Sequence, residues 1–502
     1  MNNLRAKLFF SMMVVLISTF CSADQTRSIH NWVHCDGKTD DDAGVAAAFA
    51  AAKDGAFTLM VDCPVFIHVG TDVHHPIFID NGTTVAFTKT GQFTVDNVFV
   101  PAFVIANSSN IHLLGWRILY QGGLPADPNT GGYYDNGAFM QQQKGYAQPA
   151  FDFNDHVLTP WLAAHRGIRF ARGVSSPWLG PTNTSAVFFI IGSVRDMVVQ
   201  NFSISVPPQA KGAQFIPMVF SSAVGYNSNE DVTHQTPLTP QYYSTPSNLT
   251  FSNIMFDGYY MGWQGRFQNT TFQHVRAHRY GDLEDASGGT VGGKGKWFAP
   301  PHLFYLNYIP TQTGFENQNI HILDVIDYGN RVGVARDKGG SDTSSGYANS
   351  LKIGAIDSDV NGYKSYRPDG FMDVLTSDNL KISNVEATYD SAFLNDVYPG
   401  IRFPNPPYKH VTFENITLVD KAPASKQWPI GSSNDPTNSQ IVMTNVKVVI
   451  NNWSKAVPAP RAVPNLRAQN AGPFANLCPT MAGGGNHIDI QFTVSGRVQE
   501  CH

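Results

Sequence analysis

The chain has 502 residues, a net charge of −5, 15% charged and 12% aromatic residues. The negative balance leaves no basic footprint for nucleic acid, and the low charge with many aromatics suits a β-rich body better than a charged helical one. Length alone would suggest two or three domains, but Gly, Asn, Ser and Thr are spread throughout and no low-complexity linker divides the chain, so a single domain is expected over 24–502.

Residues 1–23 read as a secretory signal. Arg5 and Lys7 give a positive start, Leu8 to Phe20 form an apolar run, and Cys21, Ser22 and Ala23 offer a cleavage site. That run is too short to span a bilayer, and no later segment is apolar enough, so the mature product is expected to be secreted or periplasmic with no integral membrane segment. Removing the signal leaves Cys35, Cys63, Cys478 and Cys501. Three pairings are formally open; the cysteines fall as one close pair near each end, which favours Cys35–Cys63 and Cys478–Cys501 in an oxidising compartment.

Asp36 to Ala52 places an Asp cluster ahead of an Ala-rich amphipathic run, the pattern of a capped helix. Further along, one motif recurs: a polar turn, alternating apolar and polar residues, Asn or a substitute, then an apolar residue. It occupies 110–116, 197–202, 249–254, 271–275, 320–325, 351–356, 380–385, 411–416 and 441–446. Period-two alternation marks half-buried strands. The bend positions 324, 355, 384, 415 and 445 lie 31, 29, 31 and 30 residues apart. A long regular period of this kind is the mark of a solenoid, in which each coil buries its apolar face only by stacking on its neighbours. Asn suits the bend because it tolerates left-handed backbone angles. The segments 121–181, 281–301 and 337–349 read as loop insertions, and the Pro-rich stretch Ala456 to Pro464 as the end of the regular body before a disulfide-pinned tail.

The segment Asp36 to Ala52 resembles the opening of pectin-lyase-like β-helix proteins, among them polygalacturonase-type hydrolases and phage tailspikes. The resemblance implies an all-β, right-handed parallel β-helix with a short N-terminal helix covering the first coil. The polygalacturonase constellation of Asn-Thr-Asp, Asp-Asp, Gly-His-Gly and Arg-Ile-Lys is not found in order, and no pectate-lyase pattern is evident. Fold therefore transfers and catalytic residues do not.

The same resemblance places a substrate groove along one sheet. If the recurring motif is the following strand, the groove strands lie upstream, in 261–267, 302–307, 331–336, 369–374 and 400–403. Alternation then points Met372 and Val374 inward and Arg331, Asp369 and Asp373 outward. Asp369 and Asp373 stand about 13 Å apart on an extended strand, beyond the roughly 5–9.5 Å that paired glycosidase carboxylates need. A partner for Asp369 would come from another coil or loop, with Asp285 and Asp327 as candidates. The first expectation is a glycoside hydrolase led by Asp369. The second is a lyase in which His302, Tyr305 and Arg331 abstract a proton beside a uronate carboxyl. The third is a non-catalytic glycan-binding helix. Trp263, Tyr305, Arg266, Arg336, Arg367 and Glu284 are expected to contact a polysaccharide. No cofactor is required, although Asp282, Glu284 and Asp285 form a loop that could hold calcium. Oligomeric state is not legible in the chain.

Overall fold

The computed structural model describes residues 25–68, 76–96, 101–121, 186–205, 218–226, 242–258, 261–281, 302–306, 313–331, 349–366, 371–389, 400–404, 407–423, 429–432, 440–451, 487–494 and 496–501. The expected signal, Cys478 and most of the expected insertions lie outside them, as does the side chain of Cys501. Among the described residues no helix is long and apolar enough to cross a membrane.

The helix Asp42–Ala52 buries Val45, Ala48, Phe49 and Ala52, the i, i+3, i+4, i+7 stripe of one helix face. Phe49 rests against Phe93, Phe103 and Trp116, with ring centroids 6.0–6.3 Å apart, so the helix covers the core at its N-terminal end. Its capping differs from expectation in one detail. The Asp41 carboxylate makes no cap bond to the helix; it takes the backbone N–H and Nδ1 of His34 instead. Cys35 and Cys63 are joined in a disulfide beside this cap.

Beyond the cap, the chain winds through two stacked parallel sheets. Ten short strands, from Ile77–Phe78 to Ile430–Ser432, pair in sequence order to form one. The other holds the long strands. In early coils it is built from separate pieces: Arg195–Ser205 pairs with Ser109–Leu114 through its first half and with Arg117–Tyr120 through its second. Between the halves lies Asn201 at φ 54°. From there on each coil contributes one strand bent at an equivalent position: Asn253, His274, Asp324, Gly362, Asn384, Asn415 and Asn445 all have positive φ. Asn pays little for this conformation and offers an amide to the next coil. Thus Asn253 donates to Asn201 (2.5 Å), Asn384 to Asn361 (2.8 Å), Asn415 to Asn384 (3.2 Å) and Asn445 to Asn415 (2.7 Å). A second row where the strands begin includes Asn269, Asn319, Asp357 and Asn379, linked in the same way. The antiparallel strand Arg497–Cys501 pairs with His487–Val494 after the last coil.

One coil departs from the sequence reading. Leu351–Ile353 belongs to the ten-stranded sheet, whereas the backbone through Arg331 continues the long strand Gln318–Arg331. The bend of the following coil is at Asn361 and Gly362, not at 355. Apolar alternation occurs on every face of a coil, and Gly354-Ala355 imitates a bend, so the apparent period of 29 to 31 residues at this point was coincidental.

The core is layered by the same registers. Phe103, Phe188, Phe220, Trp263 and Phe304 occupy one row of the ten-stranded sheet. Their rings stack at centroid distances of 5.0, 4.9, 5.9 and 4.8 Å with planes within 24°. Each such ring removed from water contributes about 2–3 kcal/mol of transfer free energy. Leu351, Met372, Ile401 and Ile430 continue the row.

Candidate functional site

Because residues alternate sides along a strand, the row beside the aromatic stack faces out of the solenoid. Its register runs Val104, Phe189, Ser221, Gln264, Tyr305, Lys352, Asp373, Arg402. The first two are apolar; the last five make a continuous polar track over five coils, about 19 Å at 4.8 Å per rung. The track is sheltered despite facing outward. Asp373 has no exposed surface, and Gln264, Tyr305 and Arg402 keep less than a tenth of theirs.

Its electrostatics follow from that shelter. Arg402 grips Asp373 with Nε at 2.8 Å and Nη2 at 2.5 Å, the two-pronged geometry that makes guanidinium–carboxylate pairs strong. The Lys352 ammonium lies 4.6 Å from the centre of the Tyr305 ring, a cation–π contact. Burial drives the Lys352 pKa below its ordinary value; the Asp373 charge opposes this and Arg402 adds to it. Burial, and then the Asp373 charge, pushes the Tyr305 hydroxyl well above the usual phenol value. Burial thus favours the neutral form of both side chains. His302 stands beside them, buried, its ring 5.0 Å from that of Tyr305 and its Nδ1 bonded to the Asn349 carbonyl at 2.8 Å.

Of the residues expected from sequence, the structure brings Tyr305, Asp373 and His302 together. Four others sit elsewhere: Asp327, Trp263, Arg266 and Arg331. Asp327 occupies the inward row of the long strands, between Ala277 and Ser365, and is fully buried. Its carboxylate takes the Ser350 hydroxyl, which also meets Tyr363 Oη at 2.7 Å. It does not face the groove. Trp263 is a member of the aromatic stack and presents no face to a sugar. Its inward position follows from its register with Phe220 and Phe304; beside it Gly262 leaves no room for a side chain, since a Cβ there would lie 2.6 Å from the Leu303 carbonyl oxygen and 2.9 Å from the Phe256 ring. Arg266 is buried beyond the strand end, donating from Nη1 to the Phe315 carbonyl at 3.1 Å. Arg331 closes a long strand of the other sheet, so the expected groove strand 331–336 is replaced by Leu351–Ile353. Asp285, Glu284, Arg336, Arg367 and Asp369 lie outside the described residues, as does the expected calcium loop.

Sequence reasoning missed Gln264, Lys352 and Arg402. Arg402 could have been found, since Ile401 and Phe403 on either side of it are core residues. Lys352 was hidden by the misassigned coil.

No family model and no curated protein matches the chain. Among solved structures, it is similar to the PfbA surface adhesin of Streptococcus pneumoniae, with 11% identity over 95% of this chain and 100% of that one at a TM-score of 0.35. It is also similar to a family 28 exopolygalacturonase of Yersinia enterocolitica, with 11% identity over 94% and 79% and a TM-score of 0.36. A hyperthermoactive exopolygalacturonase of Thermotoga maritima gives 11% identity over 85% and 92% at 0.32. The stacked parallel coils, the bend ladders and the helix over the first coil are those of a parallel β-helix, and that is the fold of this chain.

Proposed function

We propose that the protein is an extracytoplasmic enzyme that cleaves an acidic polysaccharide on the outer face of the ten-stranded sheet, by elimination beside a uronate. The observation that carries this reading is the sheltered row Tyr305, Lys352, Asp373, Arg402. Arg402 and the cationic form of Lys352 flank one carboxylate, which draws an anionic sugar to the row; the base is the neutral form of Lys352, which burial favours. Lys352, with its depressed pKa, takes the proton on the carbon next to the uronate carboxyl. The electrons form the carbon–carbon double bond as the glycosidic bond breaks, and the departing oxygen takes the Tyr305 proton. Lys352 then returns a proton to Tyr305 through solvent. Asp373 and Arg402 position the row, each fixing the other. The Cys35–Cys63 disulfide agrees with an oxidising compartment.

Hydrolysis, the first expectation from sequence, needs two carboxylates acting on one bond. Among the described residues the row holds one, Asp373, already paired with Arg402. The test is incubation with a panel of neutral and acidic polysaccharides, following reducing ends and the ultraviolet absorbance of unsaturated uronate together. Both signals rising, and both lost in Lys352→Met, is the expected outcome. Reducing ends without absorbance would replace elimination with hydrolysis and direct attention to Asp369 and Asp285. Binding without cleavage would leave a glycan-binding β-helix, and neither binding nor cleavage would overturn the reading.

A further inference from the structure

The N-terminal cap gathers a second set of reactive side chains, far in sequence from the groove row. His30, Cys35 and Cys63 offer ligand atoms that all lie within 4.8 Å of one another. Asp62 borders this set through His30 without belonging to it: its Oδ1 is 3.6 Å from His30 Nε2 and accepts the Ser28 hydroxyl at 2.9 Å, and it would reach a bound ion by side-chain rotation. With the disulfide closed, the sulfurs are bonded to each other and hold no metal. Opened, the site would present two thiolates, an imidazole and a carboxylate, a donor set suited to four-coordinate zinc.

The geometry supports that exchange. Tetrahedral zinc with sulfur at about 2.3 Å and nitrogen at about 2.1 Å sets its ligand atoms roughly 3.5–3.8 Å apart. The imidazole and carboxylate are already at that spacing. The two sulfurs need only part by side-chain rotation, since the Cα atoms are 5.3 Å apart. Cys63 is buried, Cys35 half-buried and His30 exposed, so the set has a fixed floor and an open side through which an ion could enter. The Ser28 bond orients Asp62 as outer partners orient metal ligands elsewhere.

We propose that, when the Cys35–Cys63 disulfide is reduced, His30, Cys35, Cys63 and Asp62 bind a zinc-class divalent cation, so that the cap has two alternative closures, one covalent and one metal-bridged. Reduction by a phosphine cleaves the S–S bond, converts the phosphine to its oxide with oxygen from water, and leaves two thiols. The metal then displaces their protons. Neither closure depends on the groove or on any activity.

The experiment uses the full chain with Cys478→Ser and Cys501→Ser, so that only the cap cysteines report. Protein reduced with a trialkylphosphine is titrated with cobalt(II), and thiolate-to-cobalt charge transfer and tetrahedral ligand-field bands are followed. One cobalt per chain is expected, displaced by zinc and absent before reduction. His30→Ala and Asp62→Asn should each weaken cobalt binding, and Ser28→Ala, which removes the bond orienting Asp62, should do so by about 10–100-fold. If reduction loosens the cap, circular dichroism and hydrogen exchange during the titration should show it re-form as metal is added. Absence of thiolate bands, or bands of unchanged affinity in His30→Ala, would overturn the proposal.

Discussion

Asp373 has no exposed surface, and its two carboxylate oxygens are taken by Nε and Nη2 of Arg402 one coil further on. Two charges removed from water hold one another in place, and each is costly to leave alone. Arg402→Met should therefore destabilise the fold by about 3–5 kcal/mol, while the double change Asp373→Leu with Arg402→Met should lose less than the single one. Thermal midpoints of the parent, single and double proteins decide the matter; a double variant that melts below Arg402→Met would show that Asp373 is not left stranded when its partner is removed.

Burial gives two groups pH dependences of opposite sign. Folded Tyr389, buried near Asp420, keeps its proton above its ordinary 10.0. The stability it contributes is present below that pH and is lost as pH rises above it, because the unfolded chain releases the proton first. Tyr389→Phe should flatten the alkaline fall of the thermal midpoint. Lys352 behaves in the reverse sense: its folded value lies below 10.5, so its contribution is present above 10.5 and lost as pH falls through the folded value. Any gain in midpoint from Lys352→Met at neutral pH should shrink as pH approaches 10.5.

Trp263 lies between Phe220 and Phe304 in the stack. Trp263→Ala should cost about 3–5 kcal/mol, and Trp263→Phe considerably less because the stack stays filled. Glycan binding by Trp263→Phe should match that of the parent protein. A phenylalanine variant of unchanged midpoint that no longer binds glycan would place this ring in the groove after all.

At Asn384 the backbone has φ 53°, and the side chain donates to Asn361 and accepts from Asn415. Asn384→Ala combines a left-handed backbone penalty of about 1–2 kcal/mol with the loss of two hydrogen bonds worth about 1 kcal/mol each. Asn384→Gly loses the hydrogen bonds but relieves the backbone. The glycine variant should melt above the alanine variant; equal or reversed midpoints would show that the left-handed bend adds no cost of its own.

The solenoid was legible because its rule is local. Alternation within 372–374 correctly assigned Met372 and Val374 to the core and Asp373 to the outer face, and the run from Asp42 announced its helix. The groove row was not legible as a set. Its five members come from five coils at least 21 residues apart, and only stacking aligns them. The assignment of 331–336 and 351–356 failed because an apolar triplet looks the same on either sheet. Trp263 failed for a related reason: aromatic residues serve the core and the groove equally, and the signal that separates them, the register that stacks Trp263 between Phe220 and Phe304, belongs to other coils.

The bend ladder also bears on how such a chain changes over generations. Neighbouring rungs are joined by 52 residues between Asn201 and Asn253, by 50 between His274 and Asp324, and by only 23 between Asn361 and Asn384, yet each advances the solenoid by one strand spacing. The scaffold therefore takes no account of loop length, whose entropic cost grows only logarithmically. Insertions and deletions can accumulate between rungs without shifting any core residue out of register. Lineages of this architecture can thus diverge in what they recognise by lengthening and trimming loops, while the coil beneath keeps its geometry.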